Sequence, residues 1–204
     1  MKKISDLEQS STFELLITQT DIPEWPYSCC LELHSTVKDN SFRQKLSIKN
    51  TGNVAFDFTC GLHPYFLVDK FEMVSILGLE GYEYFDRVKQ QFFKNDSIFL
   101  FDHDLCEKLF NLSPKITLRT GSKTLLLSCS GFNQWMIWNP GRIEAKKIFD
   151  LPDADWNRFV CVEPVIAGKS KRLSPGDSFS GSLTFELLEN MPLKVGHKNY
   201  GFCR

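Results

Sequence analysis

The residues best suited to acid–base chemistry in this sequence are a histidine and a glutamate, each at the end of an apolar stretch. His63 lies in GLHPYF, directly after the strand-like VAFDFTCGL. Glu163 lies in FVCVEPV, where four apolar residues precede the carboxylate and a proline follows it. A carboxylate that ends a buried strand loses hydration, which raises its pKa towards the range useful for a general base.

Each of these two residues also has a purely structural interpretation, which the pattern alone leaves open. His63 could be a core histidine beside a turn. Glu163 could be a strand-end glutamate that is paired with a neighbouring lysine or arginine.

A third candidate surface lies in WMIWNPG, where Trp135 and Trp138 bracket a short apolar strand that ends at Asn139. Indole faces beside a polar amide suit a sugar ring, because they offer flat apolar area next to hydrogen-bonding groups. The alternative is a pair of core tryptophans followed by an Asn-Pro turn.

The other histidines indicate no site. His34 lies within CLELHSTV and is predicted to be a surface or cross-strand residue, His103 is predicted to be solvated, and His197 falls in the C-terminal extension. The sequence contains no HxH, HxxxH or HExxH spacing, so we expect neither a metal site nor a metal cofactor.

Composition and charge exclude several classes of partner. The net charge is −1 and no basic run occurs, which argues against nucleic acid. No apolar stretch approaches the roughly 20 residues that cross a bilayer, which argues against membrane insertion. The start, MKKISDLEQSST, lacks the apolar segment of a signal peptide, so we expect a cytoplasmic protein. The seven cysteines form no CxxC pair and are predicted to be free thiols, mostly buried as small hydrophobes.

The hydrophobic periodicity is mostly two, which predicts an all-β protein. Strand-like runs alternate with turn signals such as KDNS, NTGN and SPGD. The predicted strands are CLELHSTV, RQKLSIKN, VAFDFTCGL, KITLRT, KTLLLSCS, WMIWNP, FVCVEPV and GSLTFELL. Short helices are expected only at SDLEQS and at DHDLCEKLF (102–110). The segment RQKLSIKNTGNVAFDF is predicted to be a β-hairpin that turns at NTGN.

This pattern predicts one all-β domain over residues 1–204, either a sandwich or a barrel, because each sheet must bury one face against another. The final residues, 189–204, lack the alternation and are expected to form an extension. The sequence shows no linker that would separate two domains.

Three segments occur in an informative order: GLHPYF (61–66), WMIWNPGR (135–142) and FVCVEP (159–164), with GLEGYEYFDRV (78–88) after the first. Together they resemble the aldose 1-epimerase (galactose mutarotase-like) superfamily, and within it the glucose-6-phosphate 1-epimerase branch. The likeness covers about residues 25–188, and it implies a large antiparallel β-sandwich.

The resemblance implies roles for individual residues. His63 matches the catalytic acid, which would protonate the ring oxygen of a hexopyranose. Glu163 matches the catalytic base, which would take the proton from the anomeric hydroxyl. Ring opening, rotation about C1–C2 and closure would then interconvert the anomers without a cofactor. From this scheme we expect the two groups to face each other across a space one sugar ring wide.

The resemblance also implies a substrate-binding set, which comprises Tyr65, Trp138, Asn139 and Glu107. Glu107 stands where the family usually has an aspartate. The family's N-terminal portion, with arginines that hold a phosphate, is expected to be absent. A missing portion would leave a sheet edge that either another element of the chain or a partner chain covers, and the second alternative predicts self-association through that edge.

Two functional hypotheses follow from the sequence. The first is a cofactor-free isomerase that interconverts the α and β anomers of a hexose or hexose 6-phosphate. The second is a shortened, non-catalytic relative that binds carbohydrate or a protein partner through the same cleft.

Overall fold

The computed structural model describes residues 8–111 and 115–188, and β-strands dominate this part of the chain. The strands, in chain order, are β1 (Gln9–Ile17), β2 (Cys29–Lys38), β3 (Ser41–Asn50), β4 (Phe56–Gly61), β5 (Tyr65–Leu67), β6 (Ser75–Leu77), β7 (Glu83–Asp86), β8 (Gln91–Lys94), β9 (Phe99–Leu100), β10 (Cys106–Asn111), β11 (Lys115–Arg119), β12 (Thr124–Ser130), β13 (Gln134–Asn139), β14 (Phe159–Leu173) and β15 (Ser178–Leu188). The helical segments are α1 (Gly141–Glu144) and the 3-10 turns Phe71–Met73, Ala145–Lys147 and Asp155–Arg158.

The strands form two antiparallel sheets. Sheet A has eight strands in the spatial order β1-β2-β3-β15-β12-β11-β6-β9. Sheet B has seven strands, with β4-β14-β13-β10-β7-β8 in order and β5 paired with β14 beyond the end of β4. The prediction of an all-β antiparallel sandwich is confirmed.

The main core lies between the two sheets, and alternation along each strand decides which side chains enter it. In β14, Val160 and Val162 are fully buried members of this core. In the neighbouring strand β13, Trp135 and Ile137 are also fully buried members of this core. The residues between them, on the opposite face of sheet B, are therefore free to form a site.

The predicted helix at 102–110 is wrong, because this segment contains β10, which pairs with β7 and β13. Cys106 and Phe110 enter the main core, while Leu109 belongs to a small apolar cluster formed with Met136 and Val165. Period-two burial on a central strand therefore outweighs the local helical pattern. The predicted helix at SDLEQS is also not observed where it can be checked, since Gln9 already belongs to β1 and residues 5–7 lie outside the described part.

The predicted hairpin at RQKLSIKNTGNVAFDF is wrong as well, because β3 lies in sheet A and β4 lies in sheet B. The turn is a corner between the sheets, and the fully buried Asn50 holds it. The Asn50 side-chain amide donates to the carbonyl oxygens of Val54 (2.9 Å) and Leu173 (3.1 Å), and its oxygen accepts from the Gly52 N–H (3.0 Å). These bonds replace the ladder that a hairpin would have made.

Strand β1, which the sequence pattern did not predict, pairs only with β2 and forms one edge of sheet A. Its Phe13, Leu15 and Leu16 side chains are largely exposed. Self-association through this edge stays a prediction. The predicted C-terminal extension lies outside the described residues. Across residues 8–111 and 115–188, we find no helix whose length and apolar character would allow it to span a membrane.

Candidate active site

A break between two strands places His63. Strand β4 ends two residues before His63, β5 begins two residues after it, and both pair with β14. Between them, the Leu62 N–H still donates to the Pro164 carbonyl oxygen (3.2 Å). His63 is therefore carried out of the ladder directly beside Glu163, as expected for a residue just past a strand end.

Glu163 lies on the outer face of sheet B, the face turned away from sheet A. Its neighbours Val162 and Pro164 alternate with it, and the residue two positions earlier, Cys161, shares its face. Across the ladder, Met136 stands opposite Glu163 and Trp138 stands opposite Cys161. The site is thus a set of cross-strand neighbours rather than a loop cluster.

His63 and Glu163 are in direct contact, with 3.3 Å between Nε2 and Oε1. The imidazole side chain is 49% exposed and the carboxylate side chain is 9% exposed. The expectation of a gap one sugar ring wide is wrong, because both groups project from adjacent positions on one face. Such a gap is also unnecessary. The ring oxygen and the anomeric oxygen are bonded to the same carbon, so a sugar lying over the pair can meet both groups.

Burial shifts the pKa values of the two groups in opposite directions. It raises the pKa of the Glu163 carboxyl to about 7, and the negative charge of Glu107 adds to this rise. Burial also lowers the pKa of His63, against a smaller opposing effect of a backbone hydrogen bond. A carboxyl whose pKa is raised towards neutrality suits a role in proton transfer.

Aromatic side chains form a wall beside the pair. The Tyr65 ring stacks on the His63 imidazole with centroids 5.0 Å apart, and Trp138 meets the same imidazole edge-on at 5.8 Å. Phe159 packs against both Tyr65 (5.0 Å) and Trp138 (6.0 Å). The structure thus brings together Tyr65 and Trp138 with His63 and Glu163, and the resulting apolar surface suits the CH face of a pyranose.

Glu107 lies on the same face, on β10, opposite Trp138. Its Oε1 is 3.0 Å from the Arg87 guanidinium, and its charge acts on Glu163. Arg87 thus provides a half-exposed cation at this side of the site.

Asn139 does not reach the site, and the prediction that it binds substrate is corrected here. It is completely buried, and its side-chain amide donates to the carbonyl oxygens of Trp156 and Phe159, both at 2.8 Å. Its oxygen accepts from the Gly141 N–H (2.9 Å). Because successive side chains on a strand alternate, Trp138 and Asn139 cannot face the same side. Asn139 instead fixes the start of β14.

Sequence reasoning missed three residues of this region: Cys161 beside the pair, Phe159 behind Tyr65 and Trp138, and Arg87 beside Glu107. The spacing of Cys161 and Phe159 from Glu163, two and four positions along one strand, was the available signal. Arg87 had no such signal, because only the pairing of β7 with β10 brings it near Glu107. Of the sequence-predicted histidines, His34 is a cross-strand surface residue as expected, with Thr12 Oγ1 at 2.7 Å from its Nδ1.

The site includes one group of potential metal ligands. One ligand atom each from His63, Cys161 and Glu163 lies within 4.8 Å of the other two. A cavity of about 560 Å³ lies elsewhere, between β2, β3 and β4, and its lining is mainly apolar.

Comparison with known proteins places this fold in a class. The crystal structure of a "putative mutarotase (YeaD)" from Salmonella typhimurium superimposes with a TM-score of 0.79 at 22% identity, covering 91% of this chain and 64% of that one. Two curated relatives, from Cenchrus ciliaris and Escherichia coli K12, are each named "Putative glucose-6-phosphate 1-epimerase" and are each 27% identical. The matches cover 88% and 80% of this chain but 59% and 55% of the relatives. The fold is thus that of the mutarotase-like β-sandwiches.

The aldose 1-epimerase family model matches residues 2–186. This chain belongs to the aldose 1-epimerase family. The match begins at residue 2, well before the start of the likeness near residue 25 that the motifs indicated. The chain spans less than two thirds of the length of the curated relatives it matches.

Proposed function

We propose that this protein interconverts the α and β anomers of a hexose or hexose 6-phosphate, with Glu163 as general base and His63 as general acid. The observation that carries the proposal is the 3.3 Å contact between a half-exposed imidazole and a buried carboxylate whose pKa is about 7. Membership of the aldose 1-epimerase family supports the reaction class.

The reaction needs one proton removed and one delivered at adjacent oxygens. Glu163 takes the proton from the O1 hydroxyl while His63 gives one to the ring oxygen O5, and the C1–O5 bond breaks to leave the open-chain aldehyde. Rotation about C1–C2 presents the other face of the carbonyl. Closure returns both protons, so the pair ends in its starting state and the reaction consumes nothing.

The surrounding residues position the sugar for these transfers. The exposed ring of Tyr65 and the half-buried ring of Trp138 offer an apolar surface to one face of the pyranose. The Glu107 carboxylate and the Arg87 guanidinium, 3.0 Å apart, supply an acceptor for ring hydroxyls and a donor for a hydroxyl or a phosphate. The names of the two curated relatives support the phosphorylated substrate.

The proposal is tested by following anomer interconversion of α-glucose and of α-glucose 6-phosphate by polarimetry and NMR exchange. The wild-type chain should accelerate at least one of them over buffer. His63→Ala and Glu163→Gln should each lower the rate by a factor of about 10²–10⁴, as expected for loss of a general acid or base. His34→Ala, a surface histidine on sheet A, is the matched control and should leave the rate unchanged.

The competing hypothesis, a non-catalytic binding relative, predicts a different outcome. A wild-type chain that binds either sugar in an NMR titration but does not accelerate its interconversion would overturn the proposal. The ratio of the rates on the two sugars decides whether a phosphate is part of the substrate.

A further inference from the structure

We propose that His63, Cys161 and Glu163 form a binding site for a thiophilic divalent cation such as Zn²⁺, and that the cation competes with the acid–base reaction. The three side chains offer an imidazole nitrogen, a thiol sulfur and a carboxylate oxygen, all within 4.8 Å of one another. This ligand combination is typical of zinc among the divalent metals.

The strand geometry brings the three ligands together. Cys161 and Glu163 are two positions apart on β14 and share the outer face of sheet B, while His63 leans over them from the break between β4 and β5. Ligands around a tetrahedral Zn²⁺, at about 2.0–2.3 Å from the metal, are roughly 3.5 Å from one another. The His63–Glu163 distance of 3.3 Å already matches this value. The Cys161 sulfur lies within 4.8 Å of the other two ligand atoms, so metal binding requires it to move closer to them.

The charges also match a divalent cation. A thiolate and a carboxylate carry two negative charges, which one divalent ion neutralises in a buried setting. Burial raises the pKa of the Cys161 thiol, with a further contribution from Glu163, so the free thiol keeps its proton. The cation must displace that proton to solvent as the metal–sulfur bond forms. Burial lowers the pKa of His63, which favours the neutral form of the imidazole, and only that form can bind a metal.

The site has an accessible side and a free coordination position. Cys161 is fully buried at the bottom, whereas the His63 side chain is 49% exposed and opens the site to solvent. Three protein ligands leave a fourth position for water or a sugar hydroxyl. A bound cation uses the lone pairs through which His63 and Glu163 would move protons. Only this consequence, inhibition, rests on the proposed function; cation binding does not.

Binding is tested by titrating the protein with Co²⁺, a spectroscopic substitute for Zn²⁺, and recording absorbance. A thiolate-to-cobalt charge-transfer band should appear at one equivalent and disappear when Zn²⁺ is added. Cys161→Ser should abolish the band and weaken Zn²⁺ binding at least tenfold, and Glu163→Gln should weaken binding while retaining the thiol. Cys129→Ser is the matched control, because Cys129 lies on β12 in sheet A and burial also raises its thiol pKa.

Two outcomes overturn the binding site: no band in the wild-type protein, or a band that persists in Cys161→Ser with an unchanged circular dichroism spectrum. Competition is tested separately by adding Zn²⁺ and then EDTA to the epimerase assay. Zn²⁺ should inhibit the wild-type protein reversibly, and the fold-inhibition should fall in Cys161→Ser relative to its own metal-free rate. Binding of Zn²⁺ without any inhibition would overturn the competition. If the wild-type protein has no epimerase activity, the cobalt spectra still test the binding site.

Discussion

Trp138 and Asn139 are adjacent in the sequence but lie on opposite faces of sheet B. Trp138 stands beside the His63 imidazole, with ring centroids 5.8 Å apart. Asn139 is completely buried and bonded to the backbone of the segment that leads into β14. The alternation separates a residue that contacts the site from one that supports the strand carrying Glu163.

Asn139→Ala should destabilise the protein by roughly 3–5 kcal/mol. The substitution leaves two buried carbonyl oxygens and one buried N–H without partners, and each such loss is costly. Denaturant unfolding followed by circular dichroism measures the effect. Asn157→Ala, at an exposed position on the same connection, is the control and should change the unfolding free energy by less than about 0.5 kcal/mol. Equal effects of the two substitutions would contradict the supporting role of Asn139.

The pH dependence of kcat/KM should be bell-shaped. The active pair holds one proton, so activity should fall above about pH 7 as that proton leaves, and should fall again below the lowered pKa of His63 as a second proton binds. Initial rates in buffers of constant ionic strength measure the profile. A rate that stays constant from pH 5 to pH 9 would rule out a shared proton in the rate-determining step.

Glu163→Gln should stabilise the protein at alkaline pH while removing activity. Burial raises the Glu163 pKa from 4.5 to about 7, so the folded state keeps a proton that the unfolded state has already lost. Wild-type stability should therefore fall as the pH rises from 4.5 through 7, by on the order of 3 kcal/mol. Urea unfolding of both proteins at pH 5 and pH 8 tests this. The advantage of the variant should be larger at pH 8, and an advantage that shrinks with pH would contradict the prediction.

Gly61→Ala should displace His63. A Cβ on Gly61 would lie 2.7 Å from Cγ1 of Val165, so β4 must move away from β14 two residues before the imidazole. We expect a loss of stability of about 1–3 kcal/mol and at least a tenfold loss of epimerase rate. Adding Val165→Ala removes the clash and should restore part of the rate. Gly52→Ala is the control, since its Cβ would meet no atom closer than 3.5 Å. A Gly61→Ala protein with the wild-type rate would show that the close approach does not position His63.

The edge strand β1 should mediate self-association. Leu16 is 64% exposed there, and antiparallel pairing of two copies centred on Phe13 would place Glu14 opposite an uncharged threonine. Sedimentation velocity at increasing concentration should show a dimer that Leu16→Lys reverts to monomer. Leu100→Lys is matched in exposure and lies on the opposite edge of sheet A, so it should leave the dimer intact. A monomer at all concentrations would contradict this prediction.

The sequence predicted the sandwich well because a period of two is a local signal that each strand carries for itself. The prediction from sequence failed where the conformation of a segment depends on contacts with the other sheet. The segment around Asn50 has the sequence pattern of a hairpin. Its conformation as a corner depends on the hydrogen bond from the Asn50 side-chain amide to the Leu173 carbonyl oxygen, which is distant in the sequence. The motifs predicted that His63 and Glu163 belong to one site, but they did not predict the direct contact of the two side chains. That contact depends on the pairing of both β4 and β5 with β14.

The separation of His63 and Glu163 along the chain, a hundred positions, has a consequence for how the protein acquires its site. Their contact exists only after β4 and β5 have docked on β14, which closes a long loop at an entropic cost before the ladder compensates for it. Local hairpins such as β2–β3 can form without that closure. During refolding, secondary structure therefore returns ahead of the His63–Glu163 contact, which makes the pair an internal marker of completed folding.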